Sequence, residues 1–287
     1  GKIKLTPNTR TLKGQSYCSQ RWANPAWPKG SKSRGFSTWT ETEQVEQDLL
    51  ICRALTEIYK DPYLASHLAF RGGTALHKLF LSPQPRYSED IDLVQVKAEP
   101  IKETYDRIRE ALSFLGEPKV KQKKHNNTLI FRLESEIIPV VPIHLKVEIN
   151  CKEHFNVLPM QEVPFSVSNK WYNGECHVLT YQLDELVGTK LRALYQRRKG
   201  RDLYDLYKAL TLSDVNIAHV LACYQKYMEF VVDHVPTYKE FIINMEDKMQ
   251  DDEFLGDTKQ LLRPDEEFNP HKGYEVVRTL LIDRLQK

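Results

Sequence analysis

The sequence is poor in the features that mark secreted, membrane-spanning and disulfide-stabilised proteins. It has five cysteines in 287 residues and no C-x-x-C pair, and no apolar run approaches the roughly 20 residues that cross a bilayer. The N-terminal region also lacks the apolar segment of a signal peptide. We therefore expect a cytoplasmic protein that binds no membrane and keeps its cysteines as buried free thiols.

Two cysteine–histidine pairs raise the question of a zinc site. Cys151 lies near His154, and Cys176 directly precedes His177. Their spacing differs from that of any zinc finger, so the sequence favours free thiols over a metal site at these positions.

Acidic residues are absent from residues 1–40, which carry eight Lys or Arg residues together with Tyr17, Trp22, Trp27 and Trp39. The rest of the chain has 33 basic and 39 acidic residues. Such a basic, aromatic arm can bind nucleic acid through phosphate contacts and base stacking, or it can pack against the protein's own acidic body. The sequence leaves both interpretations open.

Apolar periodicity predicts an α+β protein in which a mixed sheet region precedes a mostly helical region. We divide the chain into the basic arm 1–40, a core 41–178 and a helical C-terminal domain 179–287. No internal repeat is present. The predicted elements of the core are a helix over 40–59, a strand over 68–70, a helix over 74–81, a strand over 90–96, a helix over 104–115, a hairpin over 119–133 with its turn at Asn126-Asn127, and a strand over 143–150.

A glycine pair followed by two spaced aspartates is the most informative pattern in the sequence. Gly72 and Gly73 allow phosphate to approach the main chain, and Thr74 can cap the helix that follows. Asp90 and Asp92 lie two residues apart on a predicted strand, so both face the same side. Paired carboxylates of this kind select Mg²⁺, which binds substrate phosphates in turn. The alternatives are a simple turn and a solvated strand face; the phosphate loop G-x-x-x-x-G-K-[ST] is absent.

Two later segments supply further candidates. Glu148 lies on the polar face of the strand at 143–150 and is either a third metal ligand or a solvated residue. Lys190 can hold a triphosphate, and Asp202 or Asp205 can face the site as a base that activates the acceptor. The basic residues Arg197, Arg198, Lys199 and Arg201 suit phosphate binding, or they form Arg–Asp pairs on a helix surface.

These motifs together resemble the AbiEii-type nucleotidyltransferases, toxin components of abortive-infection and related toxin–antitoxin systems within the DNA-polymerase-beta-like superfamily. The motifs G-G-T-A-L, R-Y-S-E-D-I-D-L, V-E-I-N, T-K-L-R-A-L and R-D-L-Y-D-L occur in the order of that family, over about residues 45–210. The resemblance implies a minimal nucleotidyltransferase core flanked by helices, a helical C-terminal domain, Mg²⁺ and an NTP.

The resemblance also assigns roles to individual residues. Gly73 and Thr74 match the phosphate-binding glycine-serine motif, and Asp90 and Asp92 match the metal ligands; Gly72 joins the nucleotide-binding residues as the other half of the glycine pair. By the same match, Ser88 lies near the nucleotide, Lys190 on its phosphates, and Asp202 is the late catalytic aspartate; we place Arg86, in the same motif as Ser88, with the nucleotide-binding residues. Thr74 replaces the serine common in the superfamily, and fifteen residues separate it from Asp90, more than in the shortest superfamily pattern.

The motifs and the resemblance together predict an Mg²⁺-dependent transfer of NMP from an NTP to an acceptor hydroxyl. The resemblance further implies a toxin whose partners include RNA and a cognate antitoxin. The acceptor that we expect is the acceptor end of tRNA. Two alternatives stay open, namely the nucleotidylation of protein hydroxyls and a catalytically inactive nucleic-acid-binding module.

Overall fold

A computed structural model describes residues 42–136, 140–168 and 172–286. Within these residues the strands form one mixed sheet in the order β3-β4-β5-β2-β1-β7-β6. The strands are β1 (Leu68–Arg71), β2 (Asp90–Gln95), β3 (Lys119–Lys123), β4 (Asn126–Glu134), β5 (Pro142–Asn150), β6 (Gln161–Ser168) and β7 (Asn173–Thr180). The parallel pairs are β2 with β5 and β1 with β7, whereas the other neighbours are antiparallel.

Helices precede and follow the sheet strands along the chain. Those within or before the sheet are α1 (Thr42–Lys60), α2 (Pro62–His67), α3 (Gly72–Ala75), which continues as a π-helical turn (Leu76–Phe80), α4 (Lys102–Ala111) and a 3₁₀ turn (Ser113–Leu115). Those after it are α5 (Leu183–Gln196), α6 (Gly200–Leu212), α7 (Ile217–Val231), α8 (Tyr238–Lys248), α9 (Asp252–Gly256), α10 (Pro270–Leu280) and a 3₁₀ turn (Ile282–Gln286). The predicted α+β class with a helical C-terminal part is confirmed. None of the described helices has the length and apolar character of a bilayer-spanning segment.

The described residues form two units, the sheet unit (within 42–155 and 160–180) and the helical unit (156–159 and 181–286). The short segment 156–159 belongs to the helical unit because the buried carboxylate of Glu185 on α5 accepts hydrogen bonds from the amides of Val157 and Leu158, at 2.7 and 2.9 Å. The hydroxyl of Tyr227 on α7 donates a hydrogen bond to the same carboxylate. The basic arm 1–40 lies outside the described residues.

The core of the sheet unit follows from strict alternation along β5. Ile143, Leu145, Val147 and Ile149 are at most 2 % exposed, whereas the residues between them are exposed or half-buried. The apolar stripe of α1 packs against β5, β6 and β7. One face of β5 is thus committed to the core, which leaves the other face for polar side chains.

Two local expectations were wrong. The helix predicted to begin at Thr74 begins at Gly72, because the positive φ of that glycine (+84°) turns the chain out of β1 two residues earlier. The hairpin turn lies at Lys124-His125, since Asn126 pairs with Lys123 in the ladder. α1 ends at Lys60, and the next helix begins at once: the carboxylate of Asp61 caps α2 and Pro62 is its first residue.

Candidate active site

The carboxylates of the candidate site face the same side of two paired strands. In the parallel register of β2 and β5, Asp90 is opposite Lys146 and Asp92 is opposite Glu148. All four residues alternate with buried apolar residues, so their side chains project from the polar face of the sheet. The three acidic residues singled out in the sequence therefore share one small area of this face.

A lysine that the sequence analysis did not single out lies between two of these carboxylates. The Nζ atom of Lys146 is 3.3 Å from Oδ2 of Asp90 and 2.9 Å from Oε1 of Glu148. Burial raises the pKa of Asp90 above its ordinary value; the Lys146 ammonium opposes this rise, and the carboxylates of Glu89 and Glu148 add to it. The area is thus a concentration of negative charge that already holds one cation.

The glycine turn brings main chain directly against the second aspartate. Arg71, the last residue of β1, pairs with Asp92 in the antiparallel register, and Gly72 follows with its positive φ. A methyl group built on Gly72 would overlap the Asp92 carboxylate, with Cβ and Cγ of Asp92 only 3.1 and 3.2 Å away. Only glycine therefore fits between β1 and this carboxylate.

A chain of hydroxyl hydrogen bonds fixes the turn to β2. The Thr74 hydroxyl lies 2.5 Å from the Ser88 hydroxyl and donates to the main-chain oxygen of Asp90, also at 2.5 Å. Both hydroxyl-bearing residues are buried. Thr74 and Ser88 thus hold the glycine turn and the first aspartate in register.

Two basic residues near the turn are bound to the protein itself. Arg86 is buried, and its guanidinium donates to the main-chain oxygen of Tyr87 at 2.8 Å. The guanidinium of Arg71 donates to the buried carboxylate of Glu153 at 2.5 Å. The sequence carried no signal for the Arg71–Glu153 pair, because Glu153 follows Arg71 by 82 residues and lies outside the motifs singled out in the sequence.

As the side chains stand, no three His, Cys, Asp or Glu residues in the described ranges converge as a metal-ligating group. At the predicted trio, the Lys146 ammonium lies between Asp90 and Glu148. Cys151 and Cys176 are free thiols, of which Cys176 is buried and Cys151 half-buried, and both ring nitrogens of His154 contact main-chain oxygens, of Gln95 and Cys151. The expectation of free thiols is wrong at Cys52, which is disulfide-bonded.

The helical unit holds the remaining candidates in a buried ion-pair cluster. Nζ of Lys190 lies 3.1 Å from Oδ1 of Asp202 and 3.1 Å from Oδ2 of Asp205. Arg197 donates two hydrogen bonds to Asp202, at 2.6 and 2.7 Å. Burial alone would raise the pKa of Asp202, but Lys190 and Arg197 together outweigh it and hold this pKa below its ordinary value.

The neighbouring arginines are also engaged. Arg198 pairs with Asp247 and Asp251, and Arg201 binds Asp257 through its side chain and its amide. These contacts agree with the interpretation of Arg–Asp pairs on a helix surface. Asp205, which the sequence offered only as an alternative to Asp202, shares Lys190 with it.

Two solved structures are similar to this chain at low sequence identity. MenT4, a nucleotidyltransferase toxin from Mycobacterium tuberculosis, is similar in structure with a TM-score of 0.58 and 17 % identity, over 85 % of this chain and 88 % of MenT4. At this identity the similarity shows the fold. A nucleotidyltransferase candidate from H. pylori gives a TM-score of 0.47 at 15 % identity, over 86 % of this chain and 96 % of the other.

No curated protein matches the sequence. The family described as the nucleotidyl transferase AbiEii toxin of type IV toxin–antitoxin systems matches residues 53–279, which is most of the chain. The chain therefore belongs to the AbiEii family of nucleotidyltransferase toxins.

Proposed function

We propose that this nucleotidyltransferase transfers NMP from an NTP to the acceptor end of tRNA, with Mg²⁺ as its metal. Membership of a toxin family of this kind implies an NTP substrate and an antitoxin partner. The acceptor, the metal and the cytoplasm as the place of the reaction are our proposals, as are the roles of individual residues below.

The observation that carries the proposal is the juxtaposition of Asp90, Asp92 and Glu148 with the glycine turn. Carboxylate oxygens suit Mg²⁺, and they need a cation because neighbouring carboxylates repel each other. The Lys146 ammonium is a stand-in for that cation, since it lies between Asp90 and Glu148. The residues present therefore fit a divalent metal that displaces the Lys146 ammonium.

A metal held by Asp90, Asp92 and Glu148 would supply charge neutralisation at the reacting phosphate and favour its attack by a hydroxyl. The chain's own residues position the substrate. We assign the nucleotide phosphates to the main chain at Gly72, Gly73 and Thr74, where the close packing of Gly72 on Asp92 brings the turn next to the carboxylates. The buried hydroxyl contacts of Thr74 and Ser88 would keep this arrangement rigid.

The remaining candidates keep the roles given by the family resemblance, with one refinement. Lys190 is assigned to the nucleotide phosphates and Arg86 to the nucleotide-binding segment. Asp202 is a weak base, because its ion pairs lower its pKa. We therefore expect its main contribution to be the orientation of Lys190, and the abstraction of the acceptor proton to be a lesser one.

The test uses NTPs labelled at either the α- or the γ-phosphate, with total tRNA and Mg²⁺. NMP transfer moves the α-label into RNA and leaves the γ-label in pyrophosphate. Each of the four NTPs is used in turn, because the base preference leaves no signature in the sequence. Transfer of the γ-label, or no transfer of either label, would contradict the proposed reaction.

The same assay separates the two alternatives. Label that enters protein and not RNA would favour nucleotidylation of protein hydroxyls. The Lys146 ammonium between the carboxylates is the one observation that favours an inactive RNA-binding module. That interpretation predicts RNA binding but no heat of NTP binding in calorimetry with Mg²⁺.

A further inference from the structure

The polar face that carries the carboxylates continues across two more strands. In the register of β5, β4 and β3, Glu148 is opposite Thr128, which is opposite Lys121. One row further along, Lys146 is opposite Ile130, which is opposite Lys119. Opposed residues of paired strands project from the same side of a sheet. Lys119 and Lys121 therefore share a face with Asp90 and Asp92.

This face carries a strip of positive charge. Lys119, Lys121 and Lys123 are exposed on β3, and Arg132 on β4 is exposed opposite His144 on β5. We call these five residues the basic face. Its lysines and Arg132 form no ion pair with any residue that the structure describes. Beyond the carboxylates of the site, the acidic residue on the face of these strands is Glu134, at the far end of β4.

The absence of pairing distinguishes this strip from the basic cluster of the helical unit. There, Arg197, Arg198 and Arg201 are each bound to aspartates. Cations without acidic partners repel one another and raise the local potential, so they attract a polyanion. The basic face is therefore available to an external ligand in a way that the arginine cluster is not.

A cavity links the basic face to the candidate site. Its volume is about 510 Å³, and its lining includes Asp90 and Lys146 from the site, and Arg132 and His144 from the basic face. This volume falls within the range of about 300–1,000 Å³ that is typical of pockets for small ligands. A chain end that lies on the basic face could therefore reach Asp90 through a recess on the same side of the sheet.

We propose that the basic face binds the single-stranded end of the acceptor RNA and directs its terminal hydroxyl toward Asp90 and Asp92. This inference rests on the proposed function. Strands in a sheet are about 4.8 Å apart, so the three steps from β3 to β2 span roughly 14 Å. The phosphodiester backbone lies on Lys119, Lys121 and Lys123, and the terminal nucleotide lies near Arg132 and His144.

Electrostatics favours RNA as the occupant. The proposed ligand must be a polyanion along the strip and must present a reactive hydroxyl at its end, beside the carboxylates. A nucleic-acid strand meets both conditions through its own backbone. An acidic protein segment meets the condition of negative charge along the strip, and the test below distinguishes it from RNA by competition.

The test measures the binding of fluorescent tRNA and of a single-stranded RNA with the same 3′ end, as a function of salt. The full chain carries Asp92→Asn to prevent turnover. The test variant adds Lys119→Gln, Lys121→Gln and Lys123→Gln. The matched control adds Lys226→Gln, Lys239→Gln and Lys272→Gln, three exposed lysines of the helical unit.

Each lost phosphate contact on a single strand lowers the slope of log K against log salt by about 0.7, so the test variant should lose about 2 units of slope. Its affinity at low salt should fall at least about tenfold, whereas the control should bind as the parent does. Circular dichroism checks folding, and Arg132→Gln with His144→Asn provides a second variant on a different strand.

An unchanged slope in both test variants would overturn the inference, and so would a parent chain that binds no RNA. Competition by an acidic peptide of equal charge, and not by RNA, would also overturn it. The proposed function is judged separately by label transfer in the chain with Asp92 intact. If RNA is labelled and the lysine variant has an unchanged KM for RNA, the proposed nucleotidyl transfer is supported and the binding of RNA by the basic face is contradicted.

Discussion

Replacement of Gly72 by alanine, compared with the same change at Gly116, should distinguish the effect of a positive φ on stability from the effect of the Gly72–Asp92 contact on activity. Gly72 has a φ of +84°, and Gly116 has a φ of +82°. A methyl group on Gly116 meets no atom within 4 Å, whereas one on Gly72 overlaps the Asp92 carboxylate. Gly116→Ala is therefore a matched control that shares the backbone strain and lacks the clash.

Two effects set the size of the losses in stability and activity: the positive φ of the glycine and the contact of the new methyl group with Asp92. A side chain at such a positive φ costs about 1–3 kcal/mol, so both variants should lose that much free energy of unfolding. In Gly72→Ala, Cβ and Cγ of Asp92 would lie 3.1 and 3.2 Å from the new methyl, against an optimum of about 3.5–4.0 Å. Asp92 must therefore move, and a displacement of a reacting group by about 1 Å can reduce the rate roughly a hundredfold.

The assays are urea denaturation and the α-label transfer described above. We expect both variants to lose unfolding free energy, Gly72→Ala at least as much as Gly116→Ala because of its additional contact with Asp92. The loss of kcat should be confined to Gly72→Ala. Equal activity of the two folded variants would refute the argument that the glycine turn packs on a catalytic carboxylate. A loss of activity in Gly116→Ala at a temperature where it is fully folded would refute it as well.

Three further predictions concern buried charges. Lys78 is fully buried and lies 2.7 Å from Asp48. Lys78→Met removes this ion pair from a buried carboxylate, so urea denaturation should show a loss of about 3–5 kcal/mol, part of which Asp48→Asn restores in the double variant. The pKa of Asp202 is lowered in the folded chain, so its ionised form stabilises the fold above the ordinary carboxyl pKa, and this stabilisation is lost as pH falls toward the folded value. The free energy of unfolding should therefore depend less on pH at acid pH in Asp202→Asn than in the parent. The exposed control Asp214→Asn should behave as the parent does. Burial lowers the pKa of Lys248 to about 8, so above that pH the folded chain binds fewer protons than the unfolded chain. The free energy of unfolding of the parent should therefore rise between pH 8 and the ordinary lysine pKa of about 10.5. Denaturation series at several pH values should show this rise in the parent and not in Lys248→Met.

Local patterns predicted the framework of the site because they are set by short-range chemistry. The alternation at 143–150 assigned one face of β5 to the core, and the two-residue spacing of Asp90 and Asp92 put both carboxylates on one side of β2. The assignment of Glu148 to the same area needed the pairing of β2 with β5. No local pattern in the sequence specifies that pairing, so Glu148 could equally have been a solvated residue.

The rest depends on contacts between distant residues. Lys146 looked like one polar residue among several on its strand, and only the register places it opposite Asp90. The sharing of Lys190 by Asp202 and Asp205 likewise follows from the packing of α5 on α6. The strand β6 carries Pro164, which is compatible with a strand because β6 lies at the edge of the sheet.

The central claim is that the carboxylates beside the glycine turn carry out nucleotidyl transfer, and one comparison tests it most directly. The parent, Asp92→Asn and the charge-matched control Asp214→Asn are incubated with α-labelled NTP, Mg²⁺ and total tRNA after their folding has been checked. Loss of a metal ligand should reduce label in RNA by at least about a hundredfold in Asp92→Asn, while Asp214→Asn should label RNA as the parent does. Labelling by Asp92→Asn at the parent's rate would contradict the account.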